Sequence, residues 1–209
     1  MIDLLDMAVR RADAAELYLV SSEAIPATFE MNKLKHVETR RMQGFALRVI
    51  KSGRLGFSSS TDTSGVAAQE LINAAVDSAD MGEPARFDLP GPVLGGKSAA
   101  PLIYDDKIAE LDADALIRMG REIVGIITEY DPSIKCSVRL ERKVEEVTVA
   151  NSNRGGGNYR KTTLTAMADA LLVDGNDIFE VIGMDGSCRS DLDHRSVAHE
   201  MLERVRLGR

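Results

Sequence analysis

The sequence has no tryptophan, and phenylalanine and tyrosine bring the aromatic share to only 4%. A core must therefore be closed with aliphatic side chains and alanine, which the 44% hydrophobic content supplies. Cysteine is almost absent. Cys136 and Cys188 stand alone without C-x-x-C spacing, which excludes a disulfide framework and leads us to expect a reducing, cytoplasmic compartment. Basic charge is also short: 26 Lys and Arg against 33 Asp and Glu leave a net charge of -7, so a sequence-independent grip on nucleic acid is not expected. The pair Arg40-Arg41 is too short to reverse this. No apolar run approaches the ~18 to 20 residues of a membrane span. The N-terminus MIDLLDMAVRRADAAE has no basic leader before an apolar core, so neither a membrane nor a targeting role is expected.

What is present is organised around residues 44–64, GFALRVIKSGRLGFSSSTDTS. Phe45, Leu47 and Val49 alternate with Ala46, Arg48 and Ile50, Ser52-Gly53 makes a turn, and Leu55 and Phe57 resume, which predicts a β-hairpin. Asp62, Thr63 or Ser64 then caps a helix over 64–81 that carries Ala68, Leu71, Ile72, Ala75, Val76 and Ala79, with Gly82 as its C-cap. Before the hairpin the spacing predicts a short helix over 3–14 and strands over 16–21, 27–32 and 34–41. The first two are separated by a turn at Pro26, and Ala27, Phe29 and Met31 share a face.

Residues 83–112, with Pro84, Pro90, Pro92 and Pro101, read as a Pro/Gly-rich linker. A second helix over 113–130 buries Leu116, Met119, Ile123, Ile126, Ile127 and Tyr130. Five strands follow at 135–140, 144–150, 158–164, 165–173 and 178–184, turned by NSNRGGGN at 151–158 and by Asp174-Gly175. A closing helix, capped by Asp191 or Asp193, bears Val197, Ala198, Met201, Leu202 and Val205. The expected fold is α+β: two similar helix, antiparallel meander, helix units, a structural duplication with the first unit at 1–82 and the second at 113–209.

Two strings suggest chemistry. Gly91 to Ser98 fits the phosphate-loop pattern G-x-x-x-x-G-K-S, but no apolar strand enters it, Pro92 lies inside it, and Ala99-Ala100-Pro101 opens a helix poorly, so a linker is expected. His199-Glu200 begins H-E-x-x-H, but Glu203 occupies the fifth position and Arg204 the sixth. His194, five residues before His199, falls on another helix face, and His36 has no candidate partner, so no zinc site is expected. The carboxylate pairs Asp105-Asp106, Glu145-Glu146 and Asp174/Asp177 and the hydroxyl run 58–64 read as solvated surface, edge strand and cap.

The stretch FEMNKLKHVETRRMQGFALRVIKSGRLGFSSSTDTS, residues 29–64, resembles the N-terminal domain of the TldD/PmbA family, also called TldD/TldE and labelled modulators of DNA gyrase. The family's G-x-x-x-R-V-x-x-x-G-x-x-G-x-x-S-S-T-D falls on Gly44, Arg48, Val49, Gly53, Gly56, Ser59, Ser60, Thr61 and Asp62. VANSNRGGGNYRKTTLTAMADALLVDGNDIFE resembles the later segment, whose N-S-x-G turn falls on Asn151 and Ser152. The resemblance implies the N-terminal domain of a cytoplasmic zinc metallopeptidase component acting on unfolded peptides such as bacteriocin precursors and antitoxins. It implies no catalytic residue, metal ligand or cofactor in this chain, because the zinc-bearing H-E-x-x-x-H belongs to the C-terminal domain of the TldD branch. It further implies pairing with a sister subunit or a second copy. The spacing resembles the PmbA branch slightly more, which leaves a non-catalytic peptide- or partner-binding module as the alternative. The strands around Phe45 to Val49 and Leu164 to Val173 are the expected half-covered surfaces for pairing.

Overall fold

The computed structural model describes residues 2–92, 102–174 and 177–208. Helix α1 (Ile2–Ala8) is followed by strands β1 (Ala14–Glu30), β2 (Lys33–Val37), β3 (Arg40–Lys51) and β4 (Arg54–Ser60). Helix α2 (Gly65–Ser78) then runs into a 3-10 turn at Ala79–Met81. Next come α3 (Asp106–Ala109), α4 (Ala113–Tyr130), β5 (Cys136–Asn151), β6 (Gly156–Asp174), β7 (Asp177–Ser187) and α5 (His194–Gly208). The strands hydrogen-bond in the order β4-β3-β1-β5-β6-β7, with β2 also on β1. The pairs β1/β2, β3/β4 and β6/β7 are antiparallel, which makes this an α+β protein.

The strands are longer than the sequence suggested. No turn occurs at Pro26: β1 runs through it, because proline's fixed φ suits an extended backbone and its missing N–H is tolerated where pairing with β2 begins. The Pro26 carbonyl accepts from Glu38 N–H. The turn falls instead on Met31 and Asn32, with φ of 51° and 66°, so Met31 leaves the face of Ala27 and Phe29 and is exposed. Likewise the five strands expected between 135 and 184 are three, β5 to β7. Of the turn expected at Asp174-Gly175, Gly175 lies outside the described residues, while Asp174 and Asp177 pair on either side.

Packing divides the chain into two compact units that interleave in sequence. One comprises Met1–Ser22, Arg41–Ala100 and Glu145–Arg160; the other comprises Glu23–Arg40, Pro101–Val144 and Lys161–Arg209. They are not the successive segments 1–82 and 113–209, because β1, β5 and β6, at 16 to 19 residues, are long enough to serve both.

In the first unit Phe45, Leu47 and Val49 alternate inward as expected and meet Leu71, Ile72, Ala75 and Val76 of α2 and Leu5 and Ala8 of α1. Ser52 and Gly53, both at positive φ (50° and 73°), make the tight turn to β4. The inward position of β4 is Gly56, not Leu55 or Phe57: a Cβ there would lie 2.0 Å from Ala75 O, so α2 crosses the strand at backbone contact. Gly82 keeps φ at -73° and is no left-handed cap; it is required because a Cβ would meet Leu55 O at 1.7 Å. The expected linker is ordered where it is described. Leu55 N–H donates to Glu83 O, Ala85 N–H to Gly53 O, and Leu89 is buried.

In the second unit Leu116, Ile123 and Ile127 of α4 and Val197, Ala198, Met201 and Val205 of α5 enclose Ala27, Phe29, Val138, Leu140 and the alternating 164–172 face of β6. Tyr130, expected in the stripe, ends α4 in solvent. Gly183 of β7 is the buried position beneath α5, where a Cβ would meet Val197 O at 2.2 Å. Arg142, buried in β5, donates to Ile108 O and Ala109 O at the end of α3 and binds Glu23 at 2.8 Å.

Candidate functional site

The family-like positions separate into those that build the first unit and those that line a groove on it. Asp62 accepts the Ser64 N–H at 2.8 Å, and Ser64 in turn caps α2 by accepting from Ala67 N–H at 3.3 Å. The backbone and hydroxyl of Ser64 hold the Asp62 carboxyl below its usual range. Ser60 Oγ accepts from Asp62 N–H at 3.0 Å and closes the same turn. Gly53 and Gly56 are the turn and helix-crossing positions already described.

Gly44, Ser59, Ser60 and Thr61 line an open groove of about 520 Å3 with Tyr18, Val20, Met42, Gln43, Phe45 and Ala46. Gly44 keeps its floor low, since a Cβ would press to 3.1 Å against Ser60 O. Arg48 lies on the face that carries Ala46, between Glu16 (2.5 Å) and the ring of Phe87, with its guanidinium carbon 5.0 Å from the ring centroid. Tyr18, Val20, Met42 and Gln43 were not singled out from the sequence. The signal available was the even-numbered phase of β1, opposite to buried Ala15 and Leu17.

Asn151 and Ser152 organise the β5/β6 turn. Asn151 Oδ1 accepts from Asn153 N–H (2.9 Å) and Gly155 N–H (3.0 Å), and its Nδ2 donates to Pro90 O. Asn153 Nδ2 donates to Leu89 O, while Ser152 and Ala15 exchange bonds through Ser152 N–H and Oγ.

The groove offers hydroxyls, an amide and apolar surface, with no histidine, cysteine or carboxylate among its lining residues. Among the described residues no three His, Cys, Asp or Glu side chains converge as a metal set. His194 is held by Glu122 at 3.0 Å, His36 by Glu38 at 3.2 Å, and Glu200 is engaged by Arg204. Cys136 is buried against Asn32, and burial pushes its thiol up to about 11. Gly91 and Pro92 of the phosphate-loop string are described; the remainder, with Lys97 and Ser98, lies outside the described residues. No helix among the described residues is long and apolar enough to cross a membrane.

The fold is α+β, built on an antiparallel sheet. Residues 15–79 match the family described as PmbA/TldA metallopeptidase domain 1. The fold is that of TldE from Thermococcus kodakarensis, with TM-score 0.81 and 19% identity over 99% of this chain and 47% of that one. A protein described as a modulator of DNA gyrase from Bacteroides thetaiotaomicron gives TM-score 0.84 and 21% identity over 98% of this chain and 48% of that one. A third, from Thermotoga maritima, gives 0.75 and 10% over 97% and 47%. The chain thus spans about half the length of the solved structures it matches. No curated protein sequence matches it.

Proposed function

We propose that this chain is the N-terminal half of a cytoplasmic PmbA/TldD-type zinc metallopeptidase component, inactive alone, which helps to hold unfolded peptides while a sister subunit or C-terminal domain supplies the zinc. The observation that carries this reading is the fold match over nearly the whole chain to about half of TldE, joined to the family match at 15–79. The groove at Gly44, Ser59, Ser60 and Thr61 is the contact surface in this reading, because backbone, hydroxyl and apolar groups together suit a peptide of loose sequence preference. The second reading, a purely binding module of the PmbA/TldE type, is favoured by the likeness to TldE itself. Association with a sister subunit or a second copy, rather than with nucleic acid, is expected in either case.

The structural duplication is part of the same proposal, and what supports it is a parallel between the two strand–helix crossings. A Cβ added at Gly56 would meet Ala75 O of α2 and Ala79 N of the 3-10 turn that continues it at 2.0 and 2.9 Å, and one added at Gly183 would meet Val197 O and Met201 N of α5 at 2.2 and 3.0 Å, a helix spacing of four in both. The next residue in each strand, Phe57 or Met184, donates its N–H to the helix residue three beyond the first contact, Ser78 or Glu200.

The test is to express the chain alone, and the product extended through the codons after Arg209 together with a sister subunit, and to follow cleavage of an unfolded peptide with zinc. The extended pair should cleave and the chain alone should not; an H-E-x-x-x-H in the added part would favour the first reading over the second. Hydrolysis by the 209-residue chain itself, or an extended product that neither cleaves nor binds peptide, would remove the proposal.

A further inference from the structure

The two closing helices guard their edge strands in the same way, but the chain treats the two edges differently. After α2 it returns along β4: Leu55 N–H donates to Glu83 O at 2.9 Å, Arg54 bridges Pro84, and Ala85 N–H donates to Gly53 O at 2.8 Å. It then lays Phe87 over Arg48, buries Leu89, and is fastened by Asn151 and Asn153 to the carbonyls of Pro90 and Leu89. One strap thus covers both the outer edge of β4 and the face opposite α2.

In the second unit no described segment runs along the corresponding edge. Met184 N–H reaches Glu200 at 3.3 Å, the counterpart of Phe57 and Ser78. The unbroken register of β7 on β6 turns Glu180 and Ile182 outward like Met184, and their outward N–H and C=O groups have no partner among the described residues. On the face opposite α5, Met184 and Leu171 are 65% and 62% exposed, and Met184 pairs with Met167. Between them Asp169 Oδ1 is buried without a hydrogen-bond partner, with Arg139 Nη1 3.9 Å away. A buried carboxylate oxygen without a donor is costly, and this one lies where a strap would pass.

We infer that the β7 edge and the Met167/Met184 face receive a second strap: an extended segment that comes after α5 in the longer product, pairing with Glu180 and Ile182 and offering Asp169 a donor. This rests on the reading that the chain is half of a longer family protein; the occupant is argued from the strap after α2 and from the solved structures, of which this chain covers 47 to 48%.

Hydrogen exchange on the 209-residue chain and on the product extended past Arg209 tests it. The amides of Glu180 and Ile182 should slow at least tenfold in the extended product, with Leu55 and Phe57 unchanged, and peroxide oxidation of Met184 should slow in parallel. Ile182→Pro, tolerated where the N–H faces outward, should abolish the protection of Glu180 without unfolding the chain. Equal exchange in both products overturns the strap, and so does protection in the 209-residue chain that grows with concentration, which would assign the edge to a second copy. If the extended product cleaves peptide with its sister subunit while the amides stay fast, only the strap falls. If the reading frame closes at Arg209, strap and proposed function fall together.

Discussion

Replacing Gly56 by alanine tests the packing of the first unit at its tightest point. The added Cβ would stand 2.0 Å from Ala75 O, 2.8 Å from Ala79 Cβ and 2.9 Å from Ala79 N. The first contact is about 1.4 Å short of the 3.4 Å at which ordinary van der Waals contact begins. Two of the three opposing atoms are helix backbone, so no rotamer change relieves them. Helix α2 must lift, and its buried Leu71, Ile72 and Val76 lift with it. Overpacking of this kind costs typically 1–3 kcal/mol, and the backbone clash puts this case at the upper end, about 3 kcal/mol. With a urea dependence of about 2–3 kcal/mol per molar, the unfolding midpoint should fall by roughly 1 M. Gly183→Ala should behave alike against α5. Gly125→Ala is the control: nothing lies within 4 Å of a Cβ there, on the exposed face of α4, so helix propensity should raise stability by ~0.5–1 kcal/mol. A Gly56→Ala midpoint within about 0.3 M of the parent would show that α2 does not cross β4 at backbone contact.

Arg142→Ala should lower stability by about 3 kcal/mol in urea unfolding, because it takes a buried donor from Glu23 and from two helix-end carbonyls; Arg142→Lys should recover only part, since one ammonium cannot replace the guanidinium's three bonds. The hydrogen bonds from His194 and Arg195 hold the Glu122 carboxyl below its usual range, so its contribution is present above the unfolded carboxylate pKa and lost as pH falls through the lower folded value. In thermal melts at falling pH, Glu122→Gln should therefore remove a small acid-dependent loss, and parallel curves for parent and variant would refute the clamp. With iodoacetamide near pH 8, Cys188 should be alkylated while Cys136, buried and with its thiol pushed up to about 11, should react only on unfolding; mass spectrometry reads which cysteine is modified.

Features set within a few residues were legible in the sequence. The inward alternation of Phe45, Leu47 and Val49, the Ser52-Gly53 turn, a helix cap within 62–64 and most of the buried positions on α2, α4 and α5 arise from side-chain periodicity or local backbone preference; that Ser64 is the cap, that Ala67 rather than Ala68 is buried and that Tyr130 is exposed were not legible there. Tertiary structure decided the rest. Pro26 looked like a turn but lies within a strand, because neighbouring strands determine whether an extended backbone continues. The strands expected to be half-covered, β3 and β6, are flanked on both sides; their length and apolarity mark interior strands, and the edges fall to β4 and β7. Gly56 and Gly183 carry no side chain by which a pattern could show them facing inward; only the helix lying across each makes glycine necessary. The groove has the same origin. Gly44 and Ser59 belong to one local motif, but Tyr18 and Val20 join them only when β1 comes to lie beside β3, a pairing between residues far apart in the chain that no local periodicity records.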